Sequence, residues 1–108
     1  MTEPTSETPV LDLLTTMTAA SLEATTLDPD TLMLVRIAAL VAVDAPPASY
    51  LLNLGAATEL GIGEEEIRAV LAAIAPIVGT TKVVSATGNI VRALGFALDM
   101  VELEDAEA

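Results

Sequence analysis

The chain has 108 residues, of which 53% are apolar and only 2% aromatic, and its formal net charge is −12. That length favours one domain with an aliphatic core, and the negative charge makes nucleic acid and anionic membranes poor partners because their phosphates repel it. Cysteine and histidine are both absent, which excludes thiolate chemistry and removes the usual metal ligands and general base. We expect no metal and no cofactor, and the high apolar share of a short chain predicts a homo-oligomer.

The apolar residues recur with the period of helices, and no strand pattern or internal repeat is present. Helix boundaries are marked by Asp28 followed by Pro29, by Gly61 as a C-terminal stop, and by Gly63 followed by three glutamates. Thr80 or Thr81 is expected to cap the last helix. We therefore predict an all-α domain over residues 10–101, with five helices near residues 10–25, 29–43, 46–61, 64–78 and 82–101.

Both ends of the chain are polar and acidic. Residues 1–9 are predicted to form a disordered arm. Residues 102–108 are predicted to be an acidic tail outside the last helix, because carboxylates are unfavourable at the negative end of a helix. The start of the chain lacks the basic residues of a targeting signal, and its most apolar run, residues 32–43, is shorter than the ~20 residues that span a bilayer. We expect a cytoplasmic protein whose acidic ends are available to a protein partner.

Arg36 is the one charge between Asp30 and Asp44 on the most apolar helix. An unpaired buried guanidinium is too costly to keep, so two interpretations remain open. In one, Arg36 pairs with a carboxylate such as Asp44 or Glu59, or with one on another subunit. In the other, it binds an anion or the carboxylate of a small substrate.

Two polar pairs are each spaced three residues apart: Tyr50 with Asn53, and Asn89 with Arg92. Each pair lies on one face of its helix because residues three apart are neighbours there. The two pairs either line a common binding pocket or make hydrogen-bonded contacts between helices. None of them forms a nucleophile–base pair, since no base is available.

The order of these features resembles the carboxymuconolactone decarboxylase family, which includes the alkylhydroperoxidase D-like proteins. The resemblance covers roughly residues 22–98 and is carried by "LDPDTLMLVRIAALVAV", a break, and "LGIGEEEIRAVL". Its most specific parts are Leu27–Pro29 and the Gly-x-x-Glu-Glu-Glu-Ile segment at 61–67. The resemblance implies an alkylhydroperoxidase D-like bundle of five or six helices that assembles into trimers or hexamers.

The thiol peroxidases of that family carry Cys-x-x-Cys-x-x-x-His after the break and a proton-relay glutamate on the preceding helix. Carried over to this sequence, the cysteines fall at Ala45 and Ala48, the histidine at Leu52 and the glutamate near Met33. All four residues are apolar, so the resemblance supplies no catalytic residue. Disulfide-relay peroxidase activity is excluded, and lactone decarboxylation lacks its histidine.

Two functions are compatible with this set of residues. The first is a pseudoenzyme of this family, a non-catalytic oligomer that acts by binding or as a scaffold for other proteins. The second is a cofactor-free lyase or isomerase on a small carboxylated substrate. In it Arg36 would clamp the carboxylate and Tyr50 and Asn53 would orient the substrate, in a polar pocket between the second and third helices.

Overall fold

Five α-helices joined by short connections form the fold. The computed structural model describes residues 7–107, with side chains up to Gly95, and contains no β-strand in that part, so the all-α prediction is confirmed. Most of the predicted N-terminal arm, residues 1–6, lies outside the described residues. The helices are α1 (Pro9–Ala24), α2 (Pro29–Ala42), α3 (Pro47–Glu59), α4 (Glu64–Val78) and α5 (Thr80–Glu107).

Local capping explains where α2 and α4 begin. Pro29 occupies the first turn of α2, where the missing N–H costs no hydrogen bond. The backbone N–H of Thr31 donates to the Asp28 carboxylate at 2.8 Å, and this bond lowers the pKa of Asp28. In α4 the Glu66 carboxylate accepts the backbone N–H of Gly63 at 2.8 Å. The run of glutamates therefore serves the start of a helix.

Gly61 ends α3 in a Schellman motif. Its φ of +81° lies in the left-handed region that favours glycine. The N–H of Gly61 donates to Thr58, and the N–H of Ile62 donates to Ala57, each at 3.0 Å. Ala57 and Ile62 are both buried, so this helix end is fixed by backbone bonds and by apolar packing.

The predicted start of the last helix at Lys82, with Thr80 or Thr81 as its cap, is wrong. α5 begins at Thr80, directly after Gly79. Gly79 has a φ of +88°, which lets the chain turn from α4 into α5 within one residue. Its carbonyl accepts the N–H of Val83 at 3.2 Å, so the glycine itself holds the capping position.

α5 continues to Glu107, beyond the predicted end at Val101. Its last residues include Glu, Ala and Leu, all strong helix formers, which favour the helix although a carboxylate is unfavourable near a helix C-terminus by ~0.3–1 kcal/mol. In the described part of the chain, no helix is long and apolar enough to cross a membrane.

The core lies between α2, α3, α4 and α5, with α2 in contact with each of the other three. Ile37 and Val41 of α2 are completely buried, as the apolar sequence of this helix favours. No buried charged side chain is found among the described residues. The core cluster consists of Met33, Ile37, Val41, Ala45, Tyr50, Leu54, Ala57, Ile62, Ala86, Ile90 and Ala93.

α1 lies outside this core. None of its residues is buried, and it makes no close backbone contact with the other four helices in the described part of the chain. A hydrogen bond of 3.2 Å from the Arg36 guanidinium to the Ser21 hydroxyl connects it to α2.

Candidate functional site

The junction between α2 and α3 is the place where the sequence predicts the family site. α2 ends in a second Schellman motif, in which the N–H of Asp44 donates to Val41 and the N–H of Ala45 donates to Leu40, at 3.1 and 3.0 Å. Asp44 takes the left-handed position with a φ of 53°, which aspartate tolerates better than most side chains. Its carboxylate also accepts a hydrogen bond of 2.6 Å from the Ser85 hydroxyl.

A row of polar side chains on α5 faces this junction. We call Lys82, Ser85, Asn89 and Arg92 the α5 polar row; their spacing of three, four and three residues places them on one helical face. The Lys82 ammonium donates to the Ala42 carbonyl at 2.8 Å, and the Asn89 amide donates to the Ala45 carbonyl at 3.1 Å. The α5 polar row therefore binds two main-chain carbonyls of the junction, through Lys82 and Asn89, and the side chain of Asp44, through Ser85.

The structure brings Asn89 and Arg92 together, as their spacing suggests. The Arg92 guanidinium donates to the Asn89 side-chain oxygen at 3.2 Å, while the amide of Asn89 reaches Ala45. Lys82 and Ser85, by contrast, were not singled out from the sequence. The signal was available in their spacing from Asn89, but their partners lie 40 and 41 residues away along the chain.

Tyr50 and Asn53 do not form a hydrogen bond with each other, unlike Asn89 and Arg92. Tyr50 is completely buried, and its hydroxyl has no hydrogen-bond partner among the described residues. Burial raises the pKa of Tyr50, and the negative charge of Asp44 raises it further. The Asn53 amide donates at 2.9 Å to the Ser49 carbonyl of its own helix.

Arg36 pairs with neither Asp44 nor Glu59. Its guanidinium donates to Ser21 of α1, and no carboxylate among the described residues lies within salt-bridge distance. Arg36 is partly exposed, on the side of α2 that faces α1. Water can therefore solvate its guanidinium, and the guanidinium does not require a carboxylate partner.

The four residues at the positions of the family site fall into two environments. Met33 and Ala45 belong to the core cluster, with exposed fractions of 6% and 5%. Ala48 is exposed, and Leu52 is 79% exposed. The described residues contain no group of three carboxylates, cysteines or histidines that could hold a metal ion.

A groove of about 370 Å³ lies elsewhere on the surface, between α3, α4 and α5. None of the four positions above lines it, nor do Arg36, Tyr50 and Asn53. The residues that line this α3–α4–α5 groove are Leu54, Thr58, Ile62, Gly63, Glu64, Ile67, Arg68, Leu71, Thr87, Ile90, Val91 and Leu94.

A comparison with protein-family models matches residues 8–89 to the carboxymuconolactone decarboxylase family, which is most of the chain. The chain belongs to the carboxymuconolactone decarboxylase family. Comparisons with curated proteins and with solved structures give no match. This member of the carboxymuconolactone decarboxylase family has no cysteine, so it lacks the Cys-x-x-Cys-x-x-x-His motif of the thiol peroxidases.

Replacing Asp44 tests how the junction of this family member is held. We expect Asp44→Ala to lower the free energy of unfolding by about 2–3 kcal/mol, because it forces a left-handed alanine and removes the bond to Ser85. Asp44→Asn keeps an acceptor and tolerates the same φ, so it should cost less than about 1 kcal/mol. Urea unfolding followed by circular dichroism at fixed protein concentration measures both, and equal losses would contradict this account.

The ionisation of Tyr50 is directly observable because it is the chain's only tyrosine. We expect the folded protein to titrate above the ordinary tyrosine pKa of ~10, and the urea-unfolded chain to titrate near it. Since the folded pKa is the higher one, the stability gained from the neutral ring is complete below pH ~10 and is lost as the pH rises through the folded value. Tyrosinate absorbance checks this, and a folded midpoint at or below the unfolded one would contradict it.

Proposed function

We propose that this protein is a non-catalytic, homo-oligomeric member of its family that acts by binding or as a scaffold. The observation that supports this most strongly is the set of residues at the family's site. Met33, Ala45, Ala48 and Leu52 offer no thiol, imidazole or carboxylate, and the chain contains no cysteine or histidine anywhere.

Thiol-based peroxide reduction needs a thiolate to attack the peroxide and a second thiol to form the disulfide. Neither group exists in this chain. Moreover, Met33 and Ala45 pack within the core cluster, so the two inner positions are filled by apolar side chains. A substrate has no polar group to bind at these two positions.

Asp44, Lys82 and Asn89, three of the polar side chains near the junction, are already engaged in hydrogen bonds. Asp44 accepts from Ser85, and Lys82 and Asn89 donate to main-chain carbonyls. The bonds of Lys82 and Asn89 stabilise the backbone of the junction, and the bond between Ser85 and Asp44 connects it to α5. Their arrangement supports a structural role for the α5 polar row.

The alternative proposal is a cofactor-free lyase or isomerase acting on a small carboxylated substrate. One observation favours it: the buried Tyr50 hydroxyl lacks a partner, and such groups are costly unless they serve a purpose. Against it, Arg36 bonds to Ser21 and Asn53 bonds to its own helix. The non-catalytic proposal therefore has the stronger support.

The decisive experiment measures peroxide consumption by the purified protein with a dithiol donor, and loss of carbon dioxide from a carboxylated lactone. We expect both rates to equal the protein-free blank. The Ala45→Cys/Ala48→Cys/Leu52→His variant serves as a matched control, because it carries the missing motif in the same fold. Robust turnover by the natural chain would overturn the proposal.

Homo-oligomerisation, as a trimer or hexamer, is part of the proposal, and so is a location in the cytoplasm. Light scattering after gel filtration measures the mass, and we expect a multiple of the 11.1 kDa subunit. We also propose that the acidic ends bind a basic protein partner. A partner bound equally well after deletion of residues 1–9 and 100–108 would contradict that part.

A further inference from the structure

α1 presents an apolar surface that its own subunit does not cover. The helix has no buried residue, and its large aliphatic side chains are between 50% and 67% exposed. These side chains are Val10, Leu11, Leu13, Leu14, Met17 and Leu22.

A 16-residue helix of this composition is only marginally stable in water without packing partners. Isolated helices shorter than ~12–15 residues are marginal even when alanine-rich, and α1 contains several threonines, which are weaker helix formers. The hydroxyls of Thr15, Thr16 and Thr18 bond back to carbonyls four residues earlier, a pattern that adds little stability. Packing on another surface must therefore stabilise α1.

The charges of α1 lie away from its main apolar face. Asp12 and Glu23 are eleven residues apart, which is three turns, so they share one side of the helix. Leu13, Leu14 and Met17 project from the other side. In a chain with a net charge of −12, this face, which carries no carboxylate and has Ser21 bonded to the Arg36 guanidinium beside it, is where a second acidic copy approaches with the least repulsion.

The α3–α4–α5 groove is a complementary surface on the same chain. Its volume is about 370 Å³ and its lining is mainly aliphatic, including Leu54, Ile67, Leu71 and Leu94. Thr58 and Thr87 add neutral hydroxyls. The charges at its edge, Arg68 and Glu64, already pair with each other.

We propose that α1 of one copy packs its apolar face into the α3–α4–α5 groove of a second copy. This inference rests on the homo-oligomer of the proposed function and specifies which surfaces form it. A second copy is the occupant because every copy carries both surfaces, and because α1 stands away from the core of its own subunit. Each subunit then provides one helix and receives one.

The exposed area of α1 is of the size that an interface needs. A fully exposed aliphatic side chain offers roughly 60–120 Å² to bury, so the six on α1, half to two-thirds exposed, offer roughly 200–450 Å². A stable interface removes ~800 Å² from each partner. α1 supplies about a quarter to a half of that, and the groove of the same subunit supplies a further share.

The test compares two variants that add the same charge to opposite sides of α1. Leu14→Asp places a carboxylate on the apolar face, whereas Thr16→Asp places it on the side of Asp12. We expect Leu14→Asp to weaken self-association by on the order of 100-fold, since an aliphatic contact is lost and a charge is desolvated, and Thr16→Asp to weaken it by less than about tenfold. Light scattering across a dilution series measures both.

Single cysteines locate the contact, because the natural chain has none. Met17→Cys protein is mixed with Val91→Cys protein, Val91 being an exposed residue of the groove, and the mixture is oxidised in air with copper phenanthroline. We expect a disulfide-linked dimer of one copy of each. Thr16→Cys mixed with Val91→Cys is the matched control and should link far less.

The outcomes separate this inference from the proposed function. A monomeric natural protein overturns both. An oligomer that Leu14→Asp leaves intact, or linkage of Met17→Cys only with itself, overturns the groove contact alone. The same holds if a Met17→Cys/Val91→Cys double variant links within one chain at high dilution, or if the groove of the intact oligomer binds an apolar dye.

Discussion

Met33→Glu is expected to lower the free energy of unfolding by about 3–5 kcal/mol near pH 7. The substitution restores the residue type that the resemblance places near this position, yet Met33 lies in the core cluster at 6% exposure. No buried charge is present among the described residues to pair with it. An unpaired carboxylate in such surroundings is strongly disfavoured.

The free energy of unfolding of Met33→Glu should be higher near pH 4 than near pH 7. Burial raises the pKa of the introduced carboxyl above its unfolded value of ~4.3. The stability of the variant is therefore retained below pH ~4.3 and lost as the pH rises through the folded pKa. Urea unfolding near pH 4 and near pH 7 measures the difference at fixed protein concentration.

Met33→Leu is the matched control for this substitution. It conserves volume and polarity and should cost less than about 1.5 kcal/mol at either pH. If Met33→Glu proved as stable as Met33→Leu near pH 7, water or a polar partner would have to reach this position. The family's site would then be open, and the non-catalytic proposal would lose its main support.

The second large effect concerns Tyr50. Truncation by Tyr50→Ala should cost about 3–5 kcal/mol, because the ring is completely buried and leaves a cavity. Tyr50→Phe should cost nothing and should stabilise the fold by up to about 1 kcal/mol, because it removes a buried hydroxyl without a partner. Urea unfolding of the two variants gives both values.

Tyr50→Phe also discriminates between the two proposed functions. If the hydroxyl binds a small carboxylated substrate, the phenylalanine variant should lose about 1 kcal/mol or more of the free energy of binding that substrate. A loss of that size, together with unchanged secondary structure, would favour the lyase or isomerase alternative. An unchanged or raised stability fits the non-catalytic protein.

Short-range chemistry made much of the fold predictable. Asp28 with Pro29, and Gly63 with Glu66, act within four residues, so their capping roles follow from the sequence. The predicted start of α5 is wrong because threonine is a common capping residue, whereas Gly79 holds that position in the structure. Whether a glycine takes a positive φ depends on where the following helix packs, which local patterns do not reveal.

The candidate site was less predictable because its contacts connect distant segments. Asp44 and Ser85 are 41 residues apart and Lys82 reaches Ala42 across 40, so their pairing depends on how α5 packs against the α2–α3 junction. Arg36 was expected to find a carboxylate, but it meets Ser21. The family positions were locatable because they are defined by spacing along one stretch of chain.

The hydrogen bonds of the α5 polar row leave some side chains at the α2–α3 junction free to be substituted. Lys82 and Asn89 donate to the backbone carbonyls of residues 42 and 45. Because every amino acid has a backbone carbonyl, these two hydrogen bonds do not depend on which side chains stand at 42 and 45. Ala48 and Leu52, one and two turns further on, are exposed. The backbone of this junction can therefore be kept while its exposed side chains change, and new side chains at 48 and 52 are the ones this fold can accept at the least cost in stability.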